Sequence, residues 1–188
     1  MSPLAVSRVT GASAFRFAQR TAAKAEEANI PVCHLNLPML EQGRRLLEVD
    51  AANISWVCGD AEDLPFEDAS QDAYTIAFGI RNTTHLDDVL AEAYRVLKPG
   101  GGLAILEFAV PTMPVFGAFY TWYTNRVLPR IGRALSRNDS AYAYLPASIS
   151  AFATPEEFVK ILRHAGFTAI SPVRLMLGSV ILYTARRD

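Results

Sequence analysis

Apolar residues along this chain alternate between short strand-like runs and stretches with helical spacing. Ile54 to Val57 is a strand-like run that opens into a polar turn carrying Asp60, and Leu64-Pro65-Phe66 returns the chain under a second run, Ala73 to Phe78. Upstream, Ile30 to Leu35 reads as a short strand, and Pro38 opens a helix through about Val49, since proline is tolerated in a first helical turn. Leu86, Val89, Leu90, Ala93 and Leu97 place one apolar face on a helix. Lys98-Pro99-Gly100-Gly101-Gly102 ends it with a basic residue, a proline and glycines able to take positive φ. Leu103 to Val110 is a buried strand, after which Pro111 to Ser150 turns aromatic and helix-compatible, an insertion over one edge of the sheet. Thr154-Pro155-Glu156-Glu157 starts a helix that ends at Ala165-Gly166-Phe167. Ala169 to Leu175 and Ser179 to Ala185 are closing strands joined by Met176-Leu177-Gly178, short enough for a hairpin. Strands alternating with helices predict an α/β fold with a doubly wound, mostly parallel sheet. No repeat or low-complexity linker interrupts residues 1–188, which are expected to form a single domain.

The first two dozen residues carry Arg8, Arg16, Arg20 and Lys24 with no acid before Glu26, the composition of a mitochondrial targeting segment. The competing reading is a domain helix, because Phe15, Ala18, Ala22 and Ala25 recur at helical spacing and the segment runs unbroken into Glu26-Glu27. Eighteen basic and 19 acidic residues give a formal charge of -1, which makes no electrostatic case for nucleic acid as a partner. Cys33 and Cys58 both lie in apolar strand-like runs, where a buried free thiol is expected. Neither has His or Cys at metal-ligand spacing, and no metal is expected.

Asp60 is the residue on which a functional reading turns. In an open α/β sheet, ligands bind in the crevice at the carboxyl ends of the strands, where a short carboxylate just past a strand can accept from a ligand amine. Asp60 or Glu62 capping the next turn is the competing reading.

Four stretches together extend the case beyond spacing. Gly59-Asp60-Ala61-Glu62-Asp63-Leu64-Pro65-Phe66, Ile76-Ala77-Phe78-Gly79-Ile80-Arg81-Asn82, Tyr94-Arg95-Val96-Leu97-Lys98-Pro99-Gly100-Gly101 and Leu106-Glu107-Phe108 resemble, in order and spacing, a class I S-adenosylmethionine methyltransferase with its Rossmann-like sheet. The segment from Phe78 to Asn82 is similar to the quinone C-methyltransferases of the UbiE/COQ5 family, and the resemblance runs from about Thr10 to nearly the end of the chain. It implies S-adenosylmethionine as cofactor and methyl transfer to a ring carbon of a polyprenyl quinol in ubiquinone or menaquinone biosynthesis. By the same resemblance, Thr10, Gly11, His34, Asp60 and Ala61 would line the cofactor site, and Arg81 and Asn82 would hold the quinol oxygens or order a water. Arg81 could instead be a structural arginine paired with Asp87, Asp88 or Glu107, and His85 a second proton acceptor or a capping residue.

Tyr120, Tyr142 and Tyr144, with Phe116, Phe119, Trp122 and Tyr123, would roof the quinol, or else be core aromatics of a helical insertion at about 111–150. Arg126, Arg130, Arg133 and Arg137 recur every three or four residues, a basic face for a membrane or a partner protein, or a solvated face. The resemblance implies contact with a quinone-biosynthesis complex and peripheral attachment to the mitochondrial inner membrane from the matrix, or a place in the bacterial cytoplasm.

The chain departs from the family at its start. Where the family has a first strand and a glycine-rich turn, Ala5 to Ala12 keep only Thr10 and Gly11, and only about Leu4 to Val6 is left for a truncated, central first strand. Where the family has an acid at the end of the second strand to accept from both ribose hydroxyls, this chain has His34. A neutral imidazole offers at most one acceptor, a shortfall of ~1–3 kcal/mol. Near the hairpin, Met176-Leu177 replaces a smaller polar pair. Two functions follow as alternatives: a working quinol methyltransferase, or an impaired or truncated homologue acting as a structural subunit or a quinone- or lipid-binding protein.

Overall fold

The structure is a computed structural model that describes residues 3–7, 30–46, 54–111, 113, 117, 120, 122, 123, 126 and 147–188. Seven strands form one sheet: β1 (Pro3–Ser7), β2 (Ile30–His34), β3 (Ile54–Cys58), β4 (Gln71–Ala77), β5 (Leu97–Phe108), β6 (Thr168–Leu175) and β7 (Val180–Arg186). Their order across the sheet is β3-β2-β1-β4-β5-β7-β6. β1 to β5 pair in parallel, and β7 runs antiparallel to both β5 and β6. The helices between them are α1 (Leu37–Leu46), α2 (Leu86–Val96) and α3 (Pro155–His164). The expected parallel sheet with a C-terminal antiparallel hairpin is therefore the observed one.

The first strand extends one residue beyond Leu4 to Val6 at each end. That is enough to pair with β4 from Pro3↔Ala73 to Ser7↔Ala77 and with β2 through Ala5↔Val32 and Val6↔Cys33. The ladder edges that a missing central strand would leave on β2 and β4 are thereby covered. The expected helix between β1 and β2, like the end of α1 near Val49, lies outside the described residues.

One face of the sheet carries most of the core. Tyr74, Ile76, Leu103 and Ile105 meet the apolar stripe of α2 (Val89, Leu90, Ala93, Val96) together with Phe158 and Leu162 of α3. The i, i+3/i+4 spacing read from the sequence is what turns α2 toward the sheet. A smaller cluster joins Ile30, Val32 and Leu40, with Ile54 and Trp56 packed against it.

Helix ends follow their residue chemistry. Thr154 caps α3 by accepting from the Glu157 N–H at 3.3 Å, while the Glu157 carboxylate accepts from the Thr154 N–H at 2.9 Å, a reciprocal capping box. The helix closes where Gly166 takes φ +94°, with the Gly166 N–H donating to Arg163 and the Phe167 N–H to Leu162. At the end of α2, Arg187 donates to the carbonyls of Tyr94, Arg95 and Leu97 and lies 4.7 Å from the centre of the Tyr94 ring, a cation on the negative end of the helix. β5 begins directly there: Leu97 pairs with Gln71, and a register shift lets Gly100, at φ +77°, turn before Gly102 meets Ala73.

Candidate functional site

The parallel strands β2, β3 and β4 end at one edge of the sheet, where a crevice of about 150 Å³ opens. Its lining includes His34, Asp60, Ala61, Glu62, Asn82 and Thr84. Asp60 is half-buried there. Its Oδ1 accepts the Glu62 N–H at 3.0 Å, and its carbonyl accepts the Asp63 N–H at 3.3 Å. The turn and ligand readings of Asp60 are thus compatible: one carboxylate oxygen shapes the turn, and among the described residues nothing takes the other. Gly59 stands where a Cβ would lie 2.8 Å from the Pro65 ring and 3.1 Å from the Cys33 sulfur, so only glycine lets β3 turn this tightly.

Charged side chains hold the loop in place. Glu92 of α2 accepts the Leu64 N–H at 2.7 Å, and Arg95 donates to the carbonyls of Leu64 and Phe66 and to Asp68. Arg95 and the loop N–H together hold the Glu92 carboxyl below its ordinary range. On the other side, Glu62 accepts the N–H groups of Thr84 and His85 at 2.7 and 3.0 Å and the His85 ring Nδ1–H at 2.8 Å. These bonds lower the Glu62 pKa and raise that of His85. Asp88, 3.9 Å from the same ring nitrogen, adds to the rise. His85 opens α2 without a side-chain cap and is exposed, so its ring serves as a tether between the β3 and β4 loops.

His34 closes β2 and is 9% exposed. Its Nδ1 accepts the Asn36 N–H at 2.8 Å. That uses the one acceptor a neutral imidazole owns, so the shortfall against a carboxylate is larger than the sequence suggests. Nε2 then carries the proton and, among the described residues, has no partner. Cys33 is buried as expected, and burial pushes its thiol up to about 12. Cys58 is exposed, against expectation, because β3 ends with it on the open side.

Arg81 and Asn82 sit on one 3₁₀ turn, Ile80–Asn82, yet face different hollows. Asn82 lines the crevice, whereas Arg81 lines a second hollow of about 350 Å³ with Ala147, Ser148, Ala151 and Phe152. Of the structural partners weighed for Arg81, Glu107 is the one it meets. Its Nη1 lies 2.5 Å from Glu107 Oε1, both side chains being nearly inaccessible, and also donates to the Phe78 carbonyl at 3.0 Å, while Nε reaches Ser148 Oγ at 3.3 Å. The guanidinium lies 5.2 Å from the centre of the Phe108 ring. Ser148, which meets Arg81, is a site neighbour with no signal of its own in the sequence, whereas Glu107 was one of the three weighed partners.

Tyr120 is helical and half-buried, with its hydroxyl pKa raised by burial, and lines neither hollow. Trp122, Tyr123 and Arg126 are helical and exposed. Thr10, Gly11, Tyr142 and Tyr144, with Phe116, Phe119, Arg130, Arg133 and Arg137, lie outside the described residues.

A family model described as "ubiE/COQ5 methyltransferase family" matches residues 2–187. The chain is 42% identical over 177 residues to the ubiquinone/menaquinone biosynthesis C-methyltransferase UbiE of Dinoroseobacter shibae, covering 93% of this chain and 69% of that protein. To the human mitochondrial 2-methoxy-6-polyprenyl-1,4-benzoquinol methylase it is 41% identical over 159 residues, covering 84% of this chain and 49% of the human one. Among solved structures, a SAM-dependent methyltransferase from Aquifex aeolicus superposes with a TM-score of 0.71 at 15% identity, over 100% of this chain and 82% of that one. A Haemonchus contortus phosphoethanolamine N-methyltransferase holding S-adenosylhomocysteine gives 0.68 at 16%, over 100% of this chain and 49% of that one. At those identities the likeness shows the fold.

The tether and the ion pair give two predictions. The Glu62 contribution is complete above the ordinary carboxyl value of 4.5 and is lost as pH falls through its lowered pKa. The His85 contribution is complete below 6.5 and is lost as pH rises through its raised pKa. The stability gap between the native chain and Glu62→Gln, read by thermal melts, should therefore be widest between pH 4.5 and 6.5. A gap independent of pH would refute the tether. Arg81→Ala strands a buried carboxylate and should cost about 3–5 kcal/mol in urea unfolding, whereas the apolar pair Arg81→Met with Glu107→Leu should cost much less. A loss below ~1 kcal/mol for Arg81→Ala would show that the pair does not support the fold.

Proposed function

Since the chain belongs to the ubiE/COQ5 methyltransferase family, we propose that it catalyses S-adenosylmethionine-dependent C-methylation of a polyprenyl benzoquinol in ubiquinone or menaquinone biosynthesis. The observation that carries this reading is Asp60 with one carboxylate oxygen to spare, half-buried in a crevice at the carboxyl ends of parallel strands. The residues present fit an adenosyl group: Asp60 can accept from an amine, and Ala61 offers an apolar wall beside it. When bound, that cofactor supplies an electrophilic methyl group.

The chain's own residues arrange the nucleophile. The 3₁₀ turn Ile80–Asn82 gives Asn82 to the crevice and Arg81 to the second hollow, so a quinol whose oxygen is held by Arg81 would have to bring its ring carbon past the turn into direct contact with the methyl group in the crevice. Arg81 brings a fixed positive charge to the quinol oxygen and makes loss of its proton to solvent easier, which sends negative charge into the ring. Glu107 holds the guanidinium from behind. Asn82, which lines the crevice, would orient a ligand bound there.

A second reading is favoured by His34: a chain that keeps the fold but holds the cofactor poorly and serves as a structural or quinone-binding homologue. The two part in a transfer assay with S-adenosylmethionine and a short-tailed, reduced demethyl benzoquinol. A methylated quinol, with S-adenosylhomocysteine binding weakened about ten- to hundredfold by Asp60→Ala, is the expected result. A folded chain that binds quinol, transfers nothing and ignores S-adenosylhomocysteine establishes the second reading.

The reading also extends to a quinone-bearing membrane, mitochondrial or bacterial as the relatives are. Met176 and Leu177 are 75% and 62% exposed, and both take positive φ, +47° and +58°, where small polar residues are more at ease. The tip follows β6, whose end lies level with Phe108 through Leu175↔Val180 and Phe108↔Val180, on the crevice edge of the sheet. Val173 and Leu175 continue the exposed apolar surface. The chain should float with vesicles containing anionic lipid and a long-chain quinone, and Met176→Ser with Leu177→Ser should remove most of that binding. Undiminished flotation of the double variant would discard the tip as the contact.

A further inference from the structure

We propose that Glu62 and His85 are positioning residues for Asp60: their bond joins the two rims of the crevice, and the charge on the His85 ring sets how firmly an adenosyl group is held there. The inference rests on the cofactor proposed above and names what regulates the affinity of that same site.

A chain of hydrogen bonds runs from the exposed ring to the carboxylate in the crevice. Asp60 Oδ1 accepts the Glu62 N–H at 3.0 Å, so where residue 62 stands decides where the Asp60 carboxylate points. Glu62 in turn is fixed from the far rim. Its Oε1 accepts the backbone N–H groups of Thr84 and His85, and its Oε2 lies 2.8 Å from His85 Nδ1. Asp60 and Glu62 line the crevice from the β3 side, Asn82 and Thr84 from the β4 side. One carboxylate therefore ties the two linings together, and it is bonded within two residues of Asp60.

The two backbone bonds do not titrate, but the ring bond does. Among the described residues the charged groups facing the ring are Glu62, from the β3–β4 loop, and Asp88, 3.9 Å away on α2. Both are acidic, and both favour the imidazolium. The ring is exposed and exchanges its proton with solvent directly. As imidazolium it gives Glu62 a charge-assisted bond, and as a neutral ring it gives an ordinary one at most. Glu62, its pKa lowered, is ionised above the ordinary carboxyl value of 4.5. The full bond is present below 6.5 and weakens as pH rises through the raised pKa of His85. The crevice should hold its ligand more tightly on the acid side of that passage.

The test is calorimetric titration of the purified chain with S-adenosylhomocysteine at about pH 5.5 and about pH 8.5, repeated on His85→Gln and Glu62→Gln. Glutamine at position 85 can still donate a hydrogen bond but takes up no proton. Comparing the native chain with His85→Gln at each pH cancels the titration of the ligand and of every group the two chains share. The native chain should bind about threefold more tightly than His85→Gln at the acid pH, the worth of a solvent-screened ion pair, and about equally at the alkaline pH. Glu62→Gln should bind more weakly than the native chain at both and follow the pH profile of His85→Gln. Circular dichroism confirms that each variant is folded. A native-to-variant ratio that is the same at both pH values, undiminished binding by Glu62→Gln, or a difference in melting temperature alone overturns the positioning role and leaves the cofactor reading intact. No binding to any of the three chains at either pH removes the cofactor reading and this inference with it.

Discussion

Leu64 gives its backbone N–H to Glu92 and receives the Arg95 guanidinium at its carbonyl, so a loop with almost no ladder of its own is bonded to α2 as firmly as a strand would be to its neighbour. The polypeptide between β3 and β4 must leave the sheet, present Asp60 to a crevice and return as β4. Its exposed backbone groups need partners along the way. Glu92 and Arg95 supply them from one side, and on the other the loop's own Glu62 ties it to the next turn by accepting the N–H groups of Thr84 and His85. Charge-assisted bonds to backbone are stronger than neutral ones, and here they act at both ends of the turn that carries Asp60. A carboxylate on a loop is thereby held with the precision of one on a regular element.

The same economy appears at the end of β4. Phe78 takes φ +54°, an uncommon state for a bulky residue, and the surroundings account for it. Its N–H donates to Leu106, its carbonyl accepts from Arg81, and its ring lies 4.4 Å from that of Phe108. Turning there sends Arg81 back under the turn to Glu107 while Asn82 continues toward the crevice. Two adjacent residues thus serve different hollows, Asn82 the crevice and Arg81 the second one. Arg81 is consequently a structural cation that also borders a cavity, and the two roles are not in competition.

Period and punctuation made the fold readable before any coordinates. The β2, β3 and β4 runs, the α2 stripe, the Thr154 cap and the Gly166 stop are each set by local chemistry, and each lies within a few residues of its expected place. What could not be read is what depends on partners distant in sequence. Nothing within Pro3–Ser7 says that five residues suffice for a central strand; the register with Ala73 to Ala77 does. Cys58 and Cys33 stand in similar runs, yet one meets solvent and the other the core, because β3 is the sheet edge and β2 is not. Glu107 as the Arg81 partner was one candidate of three until β5 was laid beside β4.

His34 shows why a residue's chemistry at a site cannot be taken from its type alone. As a free imidazole it could offer a lone pair to a hydroxyl, which is how the sequence invites it to be compared with an acid. Two residues on, the backbone of Asn36 has already claimed that lone pair. The choice between acceptor and donor is therefore made by the exit turn of β2 and not by the ligand. Reversing it would require Asn36 to find another acceptor in a short connection between strand and helix, where the carbonyl of Asn36 already receives Met39 and Leu40. The turn and the ring are one unit. The direction of the imidazole is thus set from within the chain, with Nδ1 committed to the backbone and Nε2 closed to solvent.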